Sequence, residues 1–204
     1  MLPISDEEES RTIPVVTLLI ILANIALFLI LPQSDETFES LGFIPQLFLA
    51  GRELYRVITS QFVHIGLFHL VGNMLFLWIF GDNVEDRFGK IAFLFAYLFF
   101  GSMAAVSDAF LTTHTHVPCI GASGAISGVM GSYFILFPQS RIRTIIGHWI
   151  VRVPAFVFLG GWFGLQLLLS AFEESVAYYA HIGGFVSGAV VALAFRPGRE
   201  VKKV

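Results

Sequence analysis

Two residues in this chain have the types and surroundings that nucleophilic catalysis requires. Ser123 lies in Gly121-Ala122-Ser123-Gly124-Ala125-Ile126-Ser127-Gly128, among side chains small enough for another backbone to approach its hydroxyl. His181 follows 58 residues later, in Ala180-His181-Ile182-Gly183-Gly184-Phe185. A serine hydroxyl is a poor nucleophile until a base within hydrogen-bond reach takes its proton. An imidazole, with an ordinary pKa of about 6.5, suits that transfer at neutral pH. Attack on a carbonyl also needs donors for the developing oxyanion. The main-chain candidates are the Ser123 N–H, near a helix N-terminus, and Gly121 beside it; His69 and Asn73 offer side-chain donors. Asp108, Glu173 and Glu174 fall near the outer ends of their segments, so a Ser–His dyad is expected rather than a triad.

The elements that carry these residues are expected to be membrane helices. Of the 204 residues, 56% are hydrophobic and 13% charged, where a soluble domain carries about a quarter charged. Twenty-two Phe and repeated uncharged apolar runs point to an all-α, polytopic membrane protein. Six spans are predicted, over residues 13–32, 57–80, 91–111, 118–137, 154–171 and 177–195. They form a compact core over 13–196, between a polar cytoplasmic tail (1–12) and a basic cytoplasmic tail (197–204). Residues 33–56 read as a structured outer loop, and Arg141, Arg143, His148 and Arg152 as a basic, partly amphipathic cytoplasmic segment. Cys119 is the one cysteine, which excludes an intramolecular disulfide. The acidic start, Asp6 to Glu9, is the opposite of a signal peptide's basic region, so the first span is expected to stay as an anchor. No transit peptide is visible, which favours a plasma membrane.

Basic residues set the orientation. With both termini cytoplasmic, the inner side holds ten of them, Arg11, Arg87, Lys90, Arg141, Arg143, Arg152, Arg196, Arg199, Lys202 and Lys203, against Arg52 and Arg56 outside. The even-numbered spans then run from outside to inside. Pro138 lies 15 residues after Ser123, and Arg196 lies 15 after His181. Both side chains therefore stand roughly 22 Å above the cytoplasmic boundary, with His69 at roughly 20 Å. Asn73 is one turn deeper. Three helices thus bring polar residues to one level, and hydrolysis there needs a polar cavity open to the outer side. Glycines explain the close approach. Gly121, Gly124, Gly128 and Gly131 recur at spacings of 3, 4 and 3, and His181, Gly184, Gly188 and Ala192 at 3, 4 and 4. Both are small-residue seams that draw membrane helices together.

In combination and order, these pieces resemble the rhomboid intramembrane serine proteases. Gly121-Ala122-Ser123-Gly124 matches the nucleophile motif and Ala180-His181-Ile182-Gly183-Gly184 the base motif. His69-Leu70-Val71-Gly72-Asn73 resembles the family's HxxxN motif, with His64 ahead of it. Glu53-Leu54-Tyr55-Arg56 resembles the outer-loop motif, with Tyr55 where Trp is usual; Gly81 to Gly89 resembles the turn after span two, and Gly161-Trp162-Phe163 matches span five. The resemblance implies cleavage of single-pass membrane proteins near the outer end of their helix, with Trp162 and Phe163 part of a lateral gate. It implies partners in the bilayer, with no nucleic acid, cofactor or metal; His114 and His116 have no third ligand in sequence. Some members carry a Tyr one turn after the serine that stacks on the histidine. Here that position is Ser127, so another residue must orient His181. The alternative reading is a non-catalytic rhomboid-like protein that binds membrane clients; a small transporter is a second, although mid-span acidic residues and an inverted repeat are not evident.

Overall fold

The computed structural model describes residues 2–172 and 177–195. Strand β1 (Leu2–Asp6) precedes helix α1 (Val15–Ile30). Short helices α2 (Asp35–Leu41), α3 (Pro45–Leu49) and α4 (Arg56–Thr59), the last running into a 3-10 turn at Ser60–Phe62, build the following loop. Then come α5 (Gly66–Phe88), α6 (Lys90–Leu111) and α7 (Ser123–Leu136). A hairpin of β2 (Arg141–Ile146) and β3 (Trp149–Pro154) leads to α8 (Ala155–Leu169) and α9 (Tyr178–Ala194). The chain is mostly helical. Helices α5 and α6, of 23 and 22 residues, are long and apolar enough to cross a membrane; α1, α7, α8 and α9 are apolar but shorter. Glu173, Glu174 and residues 196–204 lie outside the described residues.

The helix expected over 57–80 begins instead at Gly66 and runs to Phe88. Gly66 has φ +72°, a conformation that L side chains rarely adopt, and Ile65 before it is extended, so the chain breaks there. At the far end the helix continues because its polar residues have partners. Glu85, 1% exposed, accepts the Val16 and Thr17 N–H groups at 3.0 and 2.7 Å and the Thr17 hydroxyl at 2.8 Å. A carboxylate thus caps the first turn of α1, where unpaired N–H groups and the helix dipole favour negative charge. In the same way, Arg87 Nε donates to the Phe195 carbonyl at the end of α9, 3.0 Å away. Helix α7 starts at Ser123, later than the expected 118, because Pro118 and Gly121 (φ +120°) interrupt the approach.

The three-stranded antiparallel sheet β1-β2-β3 departs from an all-α reading. The segment read as a basic cytoplasmic stretch alternates Arg141-Ile142-Arg143-Thr144, and a two-residue turn at Gly147-His148, with Gly147 at φ +62°, closes the hairpin. Residues 2–6, expected as part of a polar tail, pair with it from Leu2↔Ile145 to Asp6↔Ile142. Ile142 and Thr144 are wholly buried. Asp6 accepts from the Tyr133 hydroxyl and from Asn83 Nδ2 at 2.9 Å, which fastens the sheet to α5 and α7.

Helix α7 is the centre of the bundle, with Val129 and Tyr133 wholly buried. Its glycines set the spacing. A Cβ on Gly184 would overlap the Gly124 carbonyl oxygen, one on Gly188 the Gly128 carbonyl oxygen, and one on Gly131 the Phe185 carbonyl oxygen. Backbone therefore lies on backbone along the α7–α9 seam. On the other flank, Gly124 faces Ala104 and Gly128 faces the Phe100 ring of α6.

Candidate active site

Ser123 is the first residue of α7 and His181 lies in the first turn of α9, so the glycine seam holds their side chains together. His181 Nε2 stands 2.9 Å from Ser123 Oγ. On its other side, His181 Nδ1 stands 2.8 Å from Gln166 Oε1 of α8, and Gln166 is 7% exposed. The Trp162 ring, one turn earlier on α8, lies 5.8 Å from the imidazole centroid. An amide oxygen only accepts, so it selects the tautomer with hydrogen on Nδ1. Nε2 then keeps its lone pair for the serine proton. Among the described residues no carboxylate bonds His181; Gln166 orients it. Sequence reasoning missed this residue. The signal was there: Gln166 is the one amide or charged side chain in Ala155–Leu169, at i+4 from Trp162.

The opposite wall of the site is built from donors. Gly121 has no side chain to exclude the His69 ring: a Cβ there would lie 2.7 Å from His69 Cε1 and 3.7 Å from Asn73 Nδ2. Asn73 Nδ2 is buried and has no hydrogen-bond partner. Such an orphaned donor is disfavoured unless something else occupies it. The Gly121 N–H donates to the Ser60 carbonyl at 2.9 Å, and the Ala122 N–H to His64 Nε2 at 3.3 Å, so neither is open to an oxyanion. Gly121 contributes space for His69 rather than a donor. The Ser123 N–H, at the first position of α7, has no intrahelical acceptor. His64, 1% exposed, is thereby a structural tie on the approach to α7.

Ser123, His181, His69, Asn73 and Trp162 share one cavity of about 850 Å³. Phe163 turns away and stacks on Phe185 at 4.6 Å. Ser127 donates to the Ser123 carbonyl at 2.6 Å within its own helix. The outer loop is fastened by Arg56, which donates to the carbonyls of Glu39 and Gly42 and pairs with Glu53. The Arg56 hydrogen bond holds the Glu53 carboxyl below its usual range.

A family model described as the Rhomboid domain matches residues 51–198. The chain is 31% identical over 189 residues to "Rhomboid protease GluP" of Bacillus subtilis, covering 89% of this chain and 35% of that protein. It is 30% identical over 203 residues to "RHOMBOID-like protein 12, mitochondrial" of Arabidopsis thaliana, covering 90% of this chain and 59% of that one. It is 29% identical over 188 residues to "Putative rhomboid protease YdcA" of Bacillus subtilis, at 87% and 86% coverage. The chain thus spans less than two thirds of the first two relatives and most of the third.

Proposed function

The chain belongs to the rhomboid family, whose members are membrane-embedded and generally intramembrane serine proteases, and from that premise we infer that it is a serine endopeptidase working through a Ser123–His181 dyad. The observation that carries this reading is the line Gln166–His181–Ser123, at 2.8 and 2.9 Å, with the unpartnered Asn73 donor across the cavity. Ser123 Oγ attacks a peptide carbonyl as its proton passes to His181 Nε2. The Ser123 N–H, Asn73 Nδ2 and His69 receive the oxyanion. As the tetrahedral intermediate collapses, the C–N bond breaks and His181 gives its proton to the leaving amine. Water then repeats the sequence on the acyl-serine and frees the new carboxylate.

The catalytic core is a bundle of six spans within 13–196, with both ends cytoplasmic and the cavity open to the outer side. The substrate is a single-pass membrane protein cut near the outer end of its helix, and Trp162 and Phe163 of α8 form the side by which it enters. Cleavage of a single-pass model substrate in proteoliposomes, with the products sequenced, tests the reading. The wild type is expected to cut near the outer helix end, while folded Ser123→Ala and His181→Ala proteins do not. Binding of the substrate by the wild type without cleavage would instead make the protein a client binder.

A further inference from the structure

The cavity contains a carboxylate that the chemistry above does not use. Asp108 of α6 is 5% exposed and lines the same cavity as Ser123 and His181. Its side chain has no hydrogen bond or ion pair with any described residue. Its oxygens are not among the fully enclosed orphans, so the little surface they keep opens on the cavity. The packing fixes its height. Gly124, next to Ser123, faces Ala104, and Gly183, two residues after His181, faces Ser107. Asp108 therefore stands roughly 6 Å, one helical turn, beyond the level of Gly124 toward the outer end of α6. Asp35 and Glu39 of α2, both exposed, also line this cavity. Its other titratable walls are His69, His114, Tyr178, Tyr179, Cys119 and the catalytic His181; no Lys or Arg lines it among the described residues.

An unpaired carboxylate in a largely apolar cavity is disfavoured until a cation reaches it, and a charge-assisted hydrogen bond then forms. We propose that Asp108 is a subsite for a cationic side chain of the substrate, a Lys or Arg within about three residues of the cleaved bond, reached along extended backbone. Asp35 and Glu39 give the cavity mouth the same sign and draw that cation inward. The subsite rests on the protease reading above and adds a class of substrate to it: membrane segments with a basic residue beside the cut.

The test uses the full chain in proteoliposomes and one single-pass substrate in Lys, Gln and Glu versions, the substituted position being walked across three residues on each side of the cut. At one of these positions the wild type should cleave the Lys version roughly 10- to 100-fold faster in kcat/KM than the Glu version. That ratio should fall to within about threefold of one in Asp108→Asn and be retained in Asp108→Glu, which keeps the charge. Fluorophosphonate labelling of Ser123 reports that each variant is folded. A wild-type ratio near one at every position, with the Gln version cut, overturns the subsite alone and needs no variant. A preference that survives unchanged in Asp108→Asn overturns it too. No cleavage of any version would overturn the protease reading and the subsite with it.

Discussion

The hydrogen bond from His181 Nδ1 to Gln166 decides whether the imidazole presents a lone pair or a hydrogen to Ser123. A neutral amide fixes the tautomer without placing a negative charge behind the base, which separates this arrangement from a carboxylate triad. Gln166→Leu keeps the volume and removes the acceptor. It should lower kcat by about 10- to 100-fold with KM little changed, since substrate does not touch Nδ1. A kcat equal to wild type would mean that the Trp162 ring alone orients the histidine. Asn73→Ala removes the orphaned donor and should lower turnover by roughly 10- to 1,000-fold in a folded protein. Unchanged turnover would remove Asn73 from the oxyanion site. The sequence pattern pointed to Ser123, His181, His69 and Asn73 because their residue types and depths coincide. It misassigned Gly121, since only the fold reveals that its N–H is taken by the Ser60 carbonyl.

At the scale of elements, the α7–α9 seam holds Ser123 and His181 side by side. Gly184→Val would drive a branched Cβ into the Gly124 carbonyl oxygen and part the helices just below the serine. Both thermal stability and cleavage should fall, and retention of both would place the contact elsewhere. Gly164 of α8 has nothing within 4 Å of where its Cβ would lie. Gly164→Ala should therefore be tolerated or gain about 0.5–1 kcal/mol from helix propensity. The seam was readable from glycine periodicity. The start of α5 was less so, because hydropathy over 57–65 does not distinguish a span from a buried loop; the break lies in the backbone of Ile65 and Gly66. The β2–β3 hairpin carried a legible period-2 alternation around Gly147-His148, overridden by an apolar composition that favours helices.

For the whole molecule, the strand β1 was not legible, since its pairing joins residues such as Leu2 and Ile145 across most of the chain. It gives the bundle a clamp at the end opposite the cavity, fastened through Asp6 to Asn83 and Tyr133. Burial pushes the Asp6 carboxyl up to about 6, with Asp82 adding to the shift and the Tyr133 hydroxyl opposing it. The folded protein therefore holds this proton more tightly than the unfolded chain. The stabilisation is full below the ordinary value of 3.8 and is lost as pH rises through about 6. Hydrogen exchange of the β1 amides, corrected for intrinsic rates, should show protection weakening between about pH 4 and pH 6. Asp6→Asn should flatten that dependence; a wild-type profile already flat would contradict it.

The most direct test of the activated serine is the intact mass of the protein after treatment with a fluorophosphonate, with the modified residue located by peptide mapping. One adduct per chain is expected, on Ser123, absent in Ser123→Ala and formed far more slowly in His181→Ala. A folded wild type that stays unmodified, or takes the label on another residue, would contradict it.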